Sequence, residues 1–181
     1  MMNNKTYGLK EVNVRLCLKE GNTLYSQNEI CTPKDAVSIM KDVLIEMDQE
    51  IALVVNVDTK GKPINFSMVS MGDINRSLVS VRNVYKSAIL SNATSIILFH
   101  NHPSGDTQPS IEDFNVTNRI VEAGKLLGIS LLDHIIVGAF DGREYSFRTN
   151  NPDIFENRIR ENVLESLLED SEVEEEDEME M

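Results

Sequence analysis

The chain has 181 residues, 41% of them hydrophobic, which is enough to fill one core and too little for two ordinary domains. Thirty acidic residues stand against 17 basic ones; 11 of the acidic ones fall in residues 161–181 with no Lys or Arg among them, leaving 19 against 17 in the first 160. Neither part has the basic footprint that a nucleic-acid backbone demands, so direct nucleic-acid contact is not expected. No run reaches the ~18 consecutive apolar residues of a membrane span. The polar start, Met1-Met2-Asn3-Asn4-Lys5, leads into no signal-type run, so a cytoplasmic protein without membrane contact is expected.

Residues 11–18 (Glu-Val-Asn-Val-Arg-Leu-Cys-Leu) alternate at strand period, and Lys19-Glu20-Gly21-Asn22 turns the chain. Cys17 and Cys31 stand outside any metal-binding spacing and read as packing residues or free thiols. Thr32 and Pro33 look like the cap and first residue of a helix, along which Ala36, Ile39, Met40, Val43, Leu44 and Met47 recur at helical spacing. Ile51–Val57 is an apolar run broken only by Asn56, as expected of a strand covered on both faces. Residues 58–62 form a hairpin turn into a second strand, Ile64–Met71. A helix over Val81–Leu90 precedes a short buried strand, Ser95–Phe99, and a loop from His100 to Pro109 rich in Pro, Ser, Gly and Asp. Ser110 opens a long amphipathic helix ending near Gly124 to Gly128; Leu131–Val137 is a strand, Asp141-Gly142 a tight turn and Glu144–Phe147 the returning strand. Asn151-Pro152 starts a last helix running into the acidic tail, which reads as a solvated, disordered charge run. Hairpins mixed with helical crossovers predict an α/β protein with a mixed sheet. The domain boundaries are a strand extension over 1–31, a domain over 32–150, a C-terminal helix over 151–170 and an acidic tail over 171–181.

Chemistry concentrates in Leu98-Phe99-His100-Asn101-His102-Pro103. In an extended chain positions i and i+2 share a face, so His100 and His102 can present two imidazoles side by side. Eleven residues after His102, Asp113 stands in the first turn of the next helix. Two neutral imidazoles and one carboxylate suit zinc and leave a fourth position for water, the mark of a catalytic rather than a structural site. A plainer account is available at each position. A His-x-His pair can simply be surface, and Ser110-Ile111-Glu112-Asp113 also reads as a capping box, with Asp113 reaching back to the cap.

The stretch His-Asn-His-Pro-Ser-Gly-Asp-Thr-Gln-Pro-Ser-Ile-Glu-Asp, residues 100–113, resembles the JAMM metalloprotease motif, with His100, His102, Ser110 and Asp113 in register. With Val-Glu-Ala-Gly-Lys-Leu-Leu-Gly-Ile at 121–129 and Leu-Asp-His-Ile-Ile-Val-Gly at 132–138, the chain resembles the RadC family of JAB/MPN-type domains over about residues 32–148. The resemblance implies a three-layer JAB/MPN (cytidine-deaminase-like) α/β fold, a mixed sheet with helices on both faces. It implies zinc on His100, His102 and Asp113, and Glu50, at the entrance of the first core strand, as the catalytic base. Glu46 is the competitor but belongs to the preceding helix. Ser110, or a nearby backbone amide, would stabilise the oxyanion, and the reaction would be hydrolysis of an amide or isopeptide bond in a protein or peptide substrate.

His134 reads as a hydrogen-bonded structural histidine, and Asp133 as structural or as a group orienting a ligand imidazole. Ser104 reads as a turn serine, and Gly105 and Gly128 as backbone necessities. Full-length members of the family carry an amino-terminal helix-hairpin-helix region. Only about 30 residues precede Thr32 here and they read as strands, so the chain resembles the short form. The rival to a zinc peptidase is a non-enzymatic, metal-stabilised adaptor or DNA-repair-associated interaction module. A zinc nucleobase deaminase falls away because the His-x-Glu and Pro-Cys-x-x-Cys signature is absent from the sequence. The sequence leaves the oligomeric state open.

Overall fold

A computed structural model describes residues 33–45, 47–72, 79–139 and 142–156. The strand read over 11–18, the cap at Thr32, Glu46, Asp141 and everything from residue 157 onward lie outside the described residues.

In chain order the elements are α1 (Pro33–Ile45), β1 (Ile51–Val57), β2 (Pro63–Met71), α2 (Val81–Leu90), β3 (Ser95–His102), α3 (Ile111–Leu127), β4 (Ser130–Gly138), β5 (Glu144–Ser146) and α4 (Phe147–Asn150), followed by a 3-10 turn at Pro152–Ile154. Among the described residues the strands form a five-stranded sheet ordered β2-β1-β3-β4-β5. β3 and β4 run parallel, joined by α3, and the other neighbouring pairs are antiparallel. No helix of the described residues is long and apolar enough to cross a membrane.

β1 is buried at every residue because it is covered twice. Its odd residues Ile51, Leu53, Val55 and Val57 meet Ala36, Val37, Met40 and Leu44 of α1, together with Ile97 and Phe99 of β3. Ala52 and Val54 face the other way, toward Val84, Tyr85 and Ala88 of α2 and Val116, Ile120 and Val121 of α3. The result is three layers, helix, sheet and helix pair, each strand residue choosing its layer by parity. The hairpin forms where expected. The Asp58 carboxylate accepts from the backbone amides of Lys60 and Lys62, which together hold its pKa below the ordinary value, and Gly61 takes a left-handed φ of 76°.

Among the boundaries that differ from those read in the sequence, two shape the site. β3 does not stop at Phe99: its parallel ladder with β4 continues to the pairing of His102 with Gly138, so both histidines are strand residues. β5 ends at Ser146 rather than Phe147, because the Ser146 hydroxyl accepts from the Thr149 amide and starts α4, turning the Phe147 ring inward.

α3 is fixed at both ends. Ser110 and Asp113 complete a capping box at its start, and Gly128 closes it at a left-handed φ of 69°. On its inner side the Tyr85 hydroxyl of α2 donates to the Ile120 carbonyl at 2.8 Å. Gly124 makes room for that contact, since a Cβ there would stand 2.5 Å from both the Tyr85 hydroxyl and the Ile129 carbonyl. Gly124→Ala is therefore expected to destabilise the protein by about 1–3 kcal/mol. Urea denaturation measures this, and an unchanged midpoint would show that the α2–α3 approach is looser than described.

Candidate metal centre

His100 and His102 point from the end of β3 to the face that carries α3, since His100 follows Leu98 and Ile96 of that core layer at strand period. Asp113 comes to them from the first turn of α3. One ligand atom from each of the three residues lies within 4.8 Å of the others. The Nε2 atoms of His100 and His102 are 2.9 Å apart, His100 Nε2 is 3.3 Å from Asp113 Oδ1, and His102 Nε2 is 3.9 Å from Asp113 Oδ2.

Each group is aimed by its neighbours. Asp113 Oδ2 accepts from both the Ser110 amide and the Ser110 hydroxyl at 2.7 Å, which leaves Oδ1 turned toward His100. The capping box and the ligand reading of Asp113 are thus compatible, because helix capping occupies one carboxylate oxygen and presents the other. His102 Nδ1 contacts the Asp106 carbonyl, which can only accept, so its proton sits on Nδ1 and its Nε2 lone pair faces the centre. The turn that supplies this carbonyl packs against the sheet at Gly138, where a Cβ would stand 2.7 Å from the Gly105 carbonyl.

The residues fit zinc. Ligands about 2.0–2.1 Å from a tetrahedral ion lie roughly 3.3 Å from one another, and the 2.9 Å between the two Nε2 atoms and the 3.3 Å from His100 Nε2 to Asp113 Oδ1 lie near that spacing. Two imidazoles and a carboxylate are also the donor chemistry of catalytic zinc sites with an open position. The group can hold a metal ion.

Glu50 lies in the segment between α1 and β1, half-buried, its carbonyl accepting from the Gly72 amide at 2.9 Å. β1 pairs with β3 as far as Ala52 opposite His100, and just beyond that pair the Ile51 amide meets the Asn101 side chain, so the Glu50 segment lies beside the end of the ligand strand. With Asp48, Gln49, Gly72, Pro103 and Ser104 it lines a recess of about 500 Å³.

Two contributors were not given these jobs by the sequence. Asn101, between the ligand histidines, necessarily points to the opposite face. There its Oδ1 accepts from the Ile51 amide at 2.8 Å while its Nδ2 donates to the carbonyls of Gln49 at 3.1 Å and Met47 at 3.4 Å. It fastens the Glu50 segment to the ligand strand. The second is His134, whose Nε2 lies 2.8 Å from His100 Nδ1 and whose ring stacks on Phe147 at 4.8 Å between centroids. Contact with the ligand imidazole therefore comes from His134 and not from Asp133. Asp133 pairs with Ile97 and so takes the α1 side of β4, where it accepts from the Ser146 hydroxyl at 2.6 Å and the Arg148 amide at 2.9 Å.

Burial pushes the His100 pKa down to about 4, with Asp113 opposing the shift and His102 adding to it. Burial likewise drives His134 well below its ordinary value, reinforced by His100 and His102. Both are neutral at pH 7 and ready to act as neutral ligands or acceptors. In the unfolded chain the same imidazoles take up protons near the ordinary 6.5. The unfolded state then binds more protons, so the stability these groups contribute is complete above that pH and is lost as pH falls below it, for His100 toward 4. Urea midpoints of the metal-free protein at about pH 7.5 and about pH 5 measure this; a lower midpoint in acid is expected, and equal midpoints would contradict the burial of the two rings.

Comparison with known proteins follows the same residues. The sequence profile of the RadC-like JAB domain matches residues 30–152. A UPF0758 protein of Methanosarcina acetivorans is 46% identical over 122 residues, covering 67% of this chain and 52% of its own length. Similar proteins from Clostridium tetani, 49% identical over 109 residues (60% and 48% coverage), and Clostridium perfringens, 43% over 113 (62% and 50%), carry the same UPF0758 name. The chain spans about half the length of these curated relatives. The matched segment contains the histidine pair, Asp113, Glu50 and His134, and the chain belongs to the RadC-like JAB domain family.

Proposed function

We propose that this protein is a zinc-dependent hydrolase of the JAMM type that cleaves an amide or isopeptide bond in a protein or peptide substrate. The observation that carries the reading is the convergence of His100, His102 and Asp113, with one ligand atom each inside 4.8 Å. These three residues would hold the ion. Bound zinc supplies the chemistry of acidifying a water in the remaining position, from ~15.7 toward ~7, and of polarising the scissile carbonyl.

The chain's own groups account for the remaining roles. Glu50, two residues before the Ala52–His100 pair, takes the proton of the attacking water and delivers it to the leaving amine. The recess beside it, between the Glu50 segment and the turn after His102, admits the substrate chain. The Ser110 hydroxyl donates to Asp113 Oδ2 and so holds the ligand carboxylate; stabilising an oxyanion falls to this hydroxyl as it shifts to substrate, or to a neighbouring backbone amide. A cytoplasmic setting accompanies the reading. A metal-stabilised adaptor would have no use for a carboxylate at position 50, beside the end of the ligand strand, and for that reason the hydrolase is preferred.

Glu50→Gln separates binding from chemistry. Elemental analysis is expected to find zinc in both the parent and the variant, while hydrolysis falls by at least about 100-fold. Lacking a known substrate, hydrolysis is read as new peptide termini in cells carrying the parent protein and missing in cells carrying Glu50→Gln. Loss of zinc from the variant, or identical termini in both, would remove Glu50 from the role of base.

A further inference from the structure

We infer that His134 and Thr117 are positioning residues that fix the tautomer of His100 and aim its Nε2 lone pair at the metal position. The assignment rests on the zinc reading of the His100, His102 and Asp113 group.

It follows from proton bookkeeping along one buried chain of contacts. The Thr117 hydroxyl lies 2.6 Å from the Asp113 carbonyl and 2.7 Å from His134 Nδ1. A carbonyl only accepts, so the single hydroxyl proton is committed to Asp113. Toward His134 the Thr117 oxygen can then only accept, which puts the His134 proton on Nδ1. His134 is 1% exposed, with its ring stacked on Phe147, and as a neutral imidazole it has no second proton. Its Nε2 is therefore an acceptor, 2.8 Å from His100 Nδ1, and His100 must donate to it. That leaves His100 Nε2 without a proton, turned toward His102 Nε2 at 2.9 Å and Asp113 Oδ1 at 3.3 Å.

The chain of donors starts at one proposed ligand and ends at another. Asp113 anchors it with its backbone carbonyl and presents its carboxylate to the far end, so two ligands from different secondary structures are locked into one ring of contacts. Metal-bound histidines ordinarily donate their second N–H to a carboxylate, carbonyl or water. Here another imidazole takes that place, and because both of its nitrogens are engaged it cannot reverse without breaking the contact to Thr117.

The test needs neither substrate nor turnover. Nitrogen NMR of the metal-free full chain at neutral pH reads each imidazole tautomer; His100 and His134 are both expected to be protonated at Nδ1 and bare at Nε2. Zinc alone is then titrated against a chelator. Thr117→Val, which keeps the shape and removes the hydroxyl, is expected to weaken zinc binding about 10–100-fold and to release the His134 tautomer, and Thr117→Ser is expected to restore both. A parent His100 protonated at Nε2, or zinc affinity equal in Thr117→Val and the parent, would overturn the assignment. The tautomer reading on the parent protein stands even if a variant fails to fold. Failure of the hydrolase reading would show separately, as absent cleavage with these tautomers intact.

Discussion

Side-chain alternation along β3 is the constraint on which the rest of the site depends. Because the strand remains in its ladder as far as His102, three successive residues are dealt to fixed sides of the sheet. His100 and His102 go to the layer of α3, where the start of that helix brings Asp113, and Asn101 goes to the layer of α1, where it meets the Glu50 segment. Had the strand frayed after Phe99, the two imidazoles would ride on an irregular loop, and neither their mutual distance nor their relation to Asp113 would be determined by the sheet.

The site also shows how burial keeps imidazoles uncharged. Desolvation is the leading cause for both His100 and His134, and it outweighs the attraction of the Asp113 carboxylate at His100. The cost of burying these polar rings is offset by the hydrogen bond between them and the one between His134 and Thr117. The exposed edge of the cluster is His102, whose side chain is 15% accessible against 3% for His100.

What could be read in advance was what depends on short-range spacing. An unbroken apolar run located β1 and helical patterns located α2 and α3 to within a residue or two, the His-x-His pair needed only an extended backbone, and Ser110 with Asp113 announced the cap. Two of the misreadings, the end of β3 and the choice between Asp133 and His134, come from pairing between distant segments. The Pro-Ser-Gly turn suggested that β3 ended early, whereas its ladder with β4 carries it through the histidines. Asp133 and His134 are adjacent, so one of them must face α3, but which one is decided by the register of β4 on β3, and that register shifts at a bulge between Ile96 and Ile97. Asn101 gave no signal of its own, since its partners are the main-chain groups of a segment some fifty residues earlier.

Asn101 has one more implication. By fastening residues 47–51 to β3 through three hydrogen bonds from one buried side chain, it makes the carboxylate-bearing segment and the imidazole pair parts of the same rigid body. The relative placement of these two stretches of backbone is thus settled during folding, and that part of the reorganisation energy need not be spent on each encounter with a ligand.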